Sequence, residues 1–525
     1  MSTHTTDVLS PLPWWRKYLF STDHKTIGLQ YGLSALLFLF LGLLLMLVMR
    51  WQLAYPGAAL PWLGRLFGPD RMPDGVVLPE FYNQLGAMHG TIMVFLGVVP
   101  LGVGAFGNYL VPGFVGAHEM AFPRVNALSF WTFLLGGIAM LAGFAQPGGG
   151  PASGWTSYPP LAVLATDGQT YWLIGLFLIG ISSLLGSINL ITTVVQLREQ
   201  GMGFFQLPFF VWAQLVSSFL LLLAFPPLQT ACILQLMDRL LSTSFFMPSG
   251  LIVSGQAITR SGGGTPILWQ HLFWFLAHPE VYVLILPAMG IVAEVLTTSL
   301  GRPLHSYRTT VLATIALGVL SMMVWAHHMF LTGMGTVMSG FFQATTMIVS
   351  IPSVVIITSL LLTLRGGSFT FNTPVLFALA FLPMFGIGGL TGLPLGLAPT
   401  DIHLHDTYYV IGHFHYIVAP GTIFAFFAGI YFWFPKITGK TLNAALGKIH
   451  FWLTFPLMNC IFLPMFVMGL AGVSRRLYDG GAQYAHAQSV VHLNVFISYS
   501  AWALGLAQLI FIVNLVMSSL RRKRA

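Results

Sequence analysis

Two histidines separated by one residue, His413 and His415 in Val410-Ile411-Gly412-His413-Phe414-His415-Tyr416, lie a few residues inside a stretch apolar enough to cross a membrane. Each residue of an α-helix turns about 100°, so these imidazoles point to nearly opposite sides and one helix can serve two separate metal centres. Further histidines stand at similar depth: His89 in a second apolar stretch, His278 in a sixth, and the adjacent pair His327 and His328 near the end of a seventh. Ionisable groups at membrane depth are costly and mark functional sites, and six scattered core histidines would not share a depth. Neutral imidazole is a common ligand for iron and copper. His327 and His328, about 100° apart on a helix, can hold a copper ion with a third imidazole from another helix. His413 and His415 can each give one axial bond to a different haem. His89 would complete six-coordinate iron with one of them, leaving the other haem open to a small ligand.

The segment His278-Pro279-Glu280-Val281-Tyr282 adds proton chemistry at the same place. His278 and Tyr282 stand at i and i+4, on one helix face. Pro279 lacks a backbone donor and frees a carbonyl in the preceding turn, a distortion that functional membrane helices tolerate. Glu280 is a carboxyl in the apolar middle, where desolvation favours the neutral form and proton carriage.

The elements that must position these groups are membrane helices. The chain has 525 residues, 56% hydrophobic and 7% charged, with mean hydropathy +0.80, far more apolar than a soluble protein. Apolar stretches predict an all-α, polytopic membrane protein with twelve spans at about 27–49, 83–112, 126–147, 171–196, 206–236, 266–299, 309–330, 337–364, 371–397, 408–435, 449–472 and 490–518. Residues 1–26 read as a cytoplasmic N-terminal segment, without a cleaved signal, and 519–525 as a basic cytoplasmic tail; 27–518 form one catalytic membrane domain. With the termini inside, Arg50, Arg65, Arg71, Arg239, Arg260, Arg475 and Arg476 are external, and the other Lys and Arg residues are internal, including Arg521, Arg522, Lys523 and Arg524. The net charge of +8 is scattered over short loops, which fits anionic lipid and not nucleic acid. Cys232 and Cys460 stand far apart with no CxxC pattern, so neither a disulfide nor a cysteine metal site is indicated.

At Trp274-Phe275-Leu276-Ala277-His278-Pro279-Glu280-Val281-Tyr282, Trp325-Ala326-His327-His328-Met329-Phe330, His405-Asp406-Thr407-Tyr408-Tyr409 and His413-Phe414-His415-Tyr416, the chain resembles subunit I of the haem-copper oxidases. The closest branch is the type A one that contains the mitochondrial-type enzymes; Gly154-Trp155-Thr156-Ser157-Tyr158-Pro159-Pro160-Leu161 supports it, and the similarity covers most of the chain. The resemblance implies His89 and His415 as low-spin haem ligands, His413 as the high-spin haem ligand, and His278, His327 and His328 as copper ligands. It makes Tyr282 the tyrosine joined covalently to its neighbouring copper ligand, which gives an electron and a proton when the oxygen-oxygen bond breaks. Arg50 matches the residue that contacts a low-spin haem substituent. Arg475 and Arg476 match a pair facing haem propionates, and His405 and Asp406 match a magnesium site completed by another subunit.

The resemblance also implies inner-side proton routes. Asn108, Asn126, Ser182, Ser183 and Asn189 match polar positions of a water chain leading to Glu280. The aspartate usual at its mouth is Glu119 here, in Gly116-Ala117-His118-Glu119-Met120, with His118 in place of a proline. A second route departs further: the usual buried lysine is Ile356, the usual serine is Ala293, and Glu294 beside it is a candidate proton acceptor or a plain surface carboxyl.

The expected activity is that of a terminal respiratory oxidase in a bacterial plasma membrane, reducing O2 to water with proton pumping. Two haems of A type, one copper and a magnesium ion are the expected cofactors; subunits II and III, cytochrome c and membrane lipid are the expected partners. Ile27 to Met49 contains no charged residue, whereas quinol-oxidising relatives carry an arginine and an acid in the first span. Nitric oxide reduction on the same scaffold, quinol oxidation and a haem-containing transporter are the competing readings. Tyr282 argues against the first, and the absence of an internal repeat argues against the last.

Overall fold

A computed structural model describes residues 13–259 and 262–520. Arg260, Arg521, Arg522, Lys523, Arg524 and residues 1–12 of the N-terminal segment lie outside the described residues. Twelve helices are long and apolar enough to cross a membrane: α1 (His24–Ala54), α2 (Pro79–Phe114), α3 (Pro123–Ala145), α4 (Gly168–Gln196), α5 (Phe209–Leu240), α6 (Pro266–Leu300), α7 (Tyr307–Thr332), α8 (Gly335–Leu364), α9 (Thr373–Leu395), α10 (Tyr408–Thr438), α11 (Ala444–Leu470) and α12 (Leu493–Leu520). The sequence places all twelve, short by a few residues at most ends. α1 starts at His24 because Asp23 accepts a hydrogen bond from the Thr26 amide as its N-cap. α12 runs on through Ser519 and Leu520, which the sequence assigns to the tail.

Sequential helices pack side by side, α3 on α4, α4 on α5, α5 on α6 and α11 on α12, and α12 returns to α1. α2, α5 and α6 bury the largest share of their residues; α1, α8 and α12 bury little and face outward. Lipid tails are as apolar as leucine, so close van der Waals fit must hold such helices together. At the α3/α4 contact a Cβ on Gly136 would stand 2.9 Å from the Gly175 carbonyl oxygen, and one on Gly175 would stand 2.6 Å from that of Gly136. Two facing glycines bring the backbones together there.

Three helices that carry site histidines depart from α geometry, two of them just past the histidines and α7 at them. α2 has π-helical segments at Ile92–Val98 and Pro100–Gly107, after His89, and α10 has one at Ile417–Ile423, after His415. Pro100 and Pro420 lie in these segments and cannot donate to the ladder, which widens its register. α7 is α-helical from Tyr307 to Ser321 and ends as a 3₁₀ turn, Trp325–Thr332.

Candidate metal centre

α6 brings His278 and the 3₁₀ end of α7 brings His327 and His328 to one point. His278 Nδ1 stands 3.3 Å from His328 Nε2, which stands 3.2 Å from His327 Nε2, compact enough for all three to share one ion. A neutral imidazole has only one N–H, so three converging nitrogens cannot all be satisfied by each other. A cation between them would satisfy all three. The 3₁₀ geometry replaces the α-helical spacing expected of His327 and His328, turning about 120° per residue instead of 100°; their rings still converge, with centroids 4.3 Å apart. His327 Nδ1 meets Thr346 Oγ1 at 2.9 Å, which orients Nε2 toward the shared point. Trp274 stacks on His328 with centroids 3.7 Å apart and planes 11° from parallel. The Trp274 indole in turn donates to the Tyr158 hydroxyl.

His278 and Tyr282 share a face of α6 as expected, with ring centroids 5.0 Å apart. The second nitrogen of His278, Nε2, is buried and has no hydrogen-bond partner.

The other three histidines share one device. Nδ1 of His89 meets the Gly42 carbonyl, Nδ1 of His413 the Gly388 carbonyl and Nδ1 of His415 the Ile411 carbonyl, each at 2.9 Å. A carbonyl accepts only, so Nδ1 carries the proton and Nε2 keeps a lone pair for iron. His415 interacts electrostatically with His89, and His327 with His413. The two imidazoles of α10 thus have different histidine neighbours. A Cβ on Gly392 would stand 2.6 Å from His413 Cε1, so α9 leaves room for that ring only because the side chain is missing.

Arg50 is 1% exposed; its Nη2 donates to Asn494 Oδ1 at 3.0 Å, while Nε and Nη1 have no partner. A buried guanidinium with free donors fits the polar edge of a large bound group.

The profile described as "Cytochrome C and Quinol oxidase polypeptide I" matches residues 26–506. The chain belongs to that family. It is 43% identical over 515 residues to cytochrome c oxidase subunit 1 of Synechocystis, covering 98% of this chain and 86% of the relative. It is 42% identical to the alternative cytochrome c oxidase subunit 1 of Bradyrhizobium diazoefficiens, covering 98% and 85%. A haem-copper terminal oxidase dimer solved by cryo-electron microscopy has the same fold, with TM-score 0.78 at 20% identity over 96% of this chain and 85% of that one.

An ion-paired loop lies beyond the histidines. Arg475 grips Asp406 Oδ1 through Nε at 2.6 Å and Nη2 at 2.5 Å. Burial would raise the Asp406 carboxyl, but Arg475, His405 and Arg476 hold it below the usual carboxylate range. Burial and the neighbouring Arg475 bring Arg476 down to about 10. Arg476 lies against the loop at Gly154, where a Cβ would stand 3.1 Å from its Nη1. His405 Nδ1 meets Asp401 Oδ2 at 3.1 Å, and its Nε2 stands 3.9 Å from Asp406 Oδ2. Among the described residues His405 and Asp406 thus offer two ligand atoms, and a magnesium shell, which favours six oxygens, would need water or another chain for the rest.

Glu280 is 2% exposed and neither carboxyl oxygen has a partner. It borders a cavity of about 50 Å³, also lined by Asn108, Ser182 and Ser183. Asn126 and Asn189 are not among its lining residues. Asn126 is fully buried with both amide atoms free, and Asn189 instead clamps the backbone of Phe122. Glu119 accepts from the His24 amide at 3.0 and 3.1 Å and from the Met120 amide at 2.8 Å, so it caps the start of α1. Tyr31, Ser129 and Ser187 also line the cavity, and sequence reasoning missed them. A hydroxyl pointing inward from a long apolar span carries no sequence mark; Thr346 and Asn494 escaped for the same reason.

Proposed function

We propose that this chain is the catalytic subunit of a proton-pumping cytochrome c oxidase, and that residues 27–518 form its single catalytic domain. The reading rests above all on the convergence of His278, His327 and His328 beside Tyr282, with His413 next to them. His89 and His415 would hold a low-spin haem, His413 a high-spin haem, and the three converging imidazoles a copper ion. When bound, these groups supply the redox chemistry that passes electrons to O2. The protein's own part is to orient the imidazoles through carbonyls, exclude water with an apolar shell, and deliver protons. Tyr282, its ring 5.0 Å from that of His278, would give a proton and an electron, and the partnerless His278 Nε2 would suit a covalent link to that ring. Glu280 holds the proton at the top of the cavity; Asn108, Ser182 and Ser183 would order water beneath it, with Glu119 at the inner mouth and Asn126 and Asn189 along the way.

Haem of the A type, with Arg50 at its polar substituent, and magnesium at His405 and Asp406 complete the cofactor reading. Arg475 and Arg476 would face the haem propionates. The uncharged stretch Ile27 to Met49 and the names of the relatives favour cytochrome c over quinol as donor. Subunits II and III, a bacterial plasma membrane and cytoplasmic termini follow from the same reading. Purified enzyme should contain two haem irons and one copper and consume O2 with reduced cytochrome c. Two irons without copper, and turnover of nitric oxide instead, would overturn it.

A further inference from the structure

The usual second proton route cannot run along Ile356, which is fully buried, nor along Ala293. A different set of polar groups, from α5 and α2, leads to the cavity below Glu280. Glu294, half-buried near the inner end of α6, meets the backbone amide of Phe210 and lies near Lys436 and Tyr307. One turn further along α5 is Gln214, fully buried; its Nε2 donates to the Gly102 carbonyl at 2.8 Å, and its Oε1 has no partner. Ser217 follows, also fully buried with a partnerless Oγ. Phe210, Gln214, Ser217 and Leu221 are spaced by four, three and four residues, hence on one side of α5.

That side ends at the cavity, whose lining includes Leu221 with Glu280. Gln214 reaches its floor from below: Gly102 immediately precedes the lining residues Val103 and Gly104. A Cβ on Gly107 would stand 3.1 Å from Gln214 Oε1 and 3.3 Å from Leu190 Cδ1, and Leu190 is another lining residue. Glu294 and Glu280 lie fourteen residues apart on α6, about 21 Å of helix. Buried polar atoms without protein partners are where internal water is held.

We propose that Glu294, Gln214 and Ser217 form a second proton inlet, joining the cavity below Glu280 through water held at Gln214 Oε1 and Ser217 Oγ. A proton taken from the inner aqueous phase by Glu294 passes along those waters into the cavity. The proposal rests on the oxidase reading for the use of the proton, and on the buried free atoms for its path.

The test uses the complete purified oxidase in vesicles, with proton uptake from the inner side read alongside O2 consumption. Glu119→Gln keeps an oxygen to cap α1 but removes the ionisable group at the first mouth. With a second inlet this variant keeps measurable turnover, and adding Ser217→Ala, Gln214→Leu or Glu294→Gln lowers turnover and proton uptake by a further factor on the order of tenfold. A Glu119→Gln enzyme that is already inactive, or double variants that match it, overturn the inlet. Haem spectra confirm assembly; Ser217→Ala, the loss of a single oxygen, serves where Gln214→Leu fails to fold. A separate readout is an experimental structure showing ordered water on Gln214 Oε1 and Ser217 Oγ; dry density at both overturns the path. If the wild-type enzyme loads haem and copper but reduces no O2, the oxidase reading fails, and the water readout still decides the inlet.

Discussion

With the Glu119 end taken as inner, as proposed, the outer and inner halves of this bundle treat their buried polar groups differently. Around the histidines most rings are tied, Nδ1 of His89, His413 and His415 to carbonyls, His327 to Thr346 and His328 under Trp274, while His278 Nε2 and two Arg50 donors stay free. Toward the inner side Glu280, Asn108, Asn126, Ser187, Gln214 and Ser217 all keep atoms with no protein partner. An axial bond needs one fixed direction, so the ligands are locked in advance. A proton path needs groups that accept from one water and donate to the next, which a locked side chain cannot do.

The largest effects should come from breaking the locked half. His413→Ala should abolish O2 reduction, a loss well beyond the about 10- to 100-fold typical when only a supporting group is removed, and the optical spectrum should lose the ligand-binding haem. Tyr282→Phe should lower turnover by about 10²- to 10⁴-fold, the usual worth of a positioned proton donor, with copper and haem content unchanged by metal analysis. Normal turnover would remove Tyr282 from the chemistry. Thr346→Val should weaken copper retention by about 10- to 100-fold during dialysis against chelator; full retention would show that the His327 contact is not a lock.

The inner half should respond more gently. Glu119→Ala removes the cap of α1 and should cost about 1 kcal/mol, seen as a lower melting temperature that Glu119→Gln largely restores. The smallest effect belongs to the outer ion pair. Because Arg475 holds Asp406 below its ordinary value of 3.8, the pair stabilises the fold above that pH and loses its effect as pH falls through the lowered value. Arg475→Met should therefore reduce thermal stability near neutral pH and converge with wild type in acid. A constant difference across the range would assign the effect to packing.

This contrast also explains what the sequence could reveal. The locked half was legible by residue type: His278, Tyr282, His327, His328, His413 and His415 are conspicuous in apolar surroundings, and helix spacing pairs His278 with Tyr282 and sets His413 and His415 apart. Twelve hydrophobic stretches were equally plain. The 3₁₀ end of α7 and the π segments were not: α7 has no proline there, and a proline in α2 or α10 does not say how the ladder around it will adjust. In the inner half, Asn189 looked like a water-chain member and also bonds the Phe122 backbone, while Tyr31 and Gln214 looked like ordinary span residues. Whether a buried amide is occupied or free depends on its neighbours in space, which spacing along the chain does not report.

His413 and His415 are joined by two planar peptide units of fixed length. Were each to hold a haem iron, as proposed, the separation of the two irons would be written into covalent bonds of one helix instead of into contacts between helices. Changes in bilayer thickness, tilt or temperature that slide one helix past another would leave the tunnelling distance between the centres nearly constant.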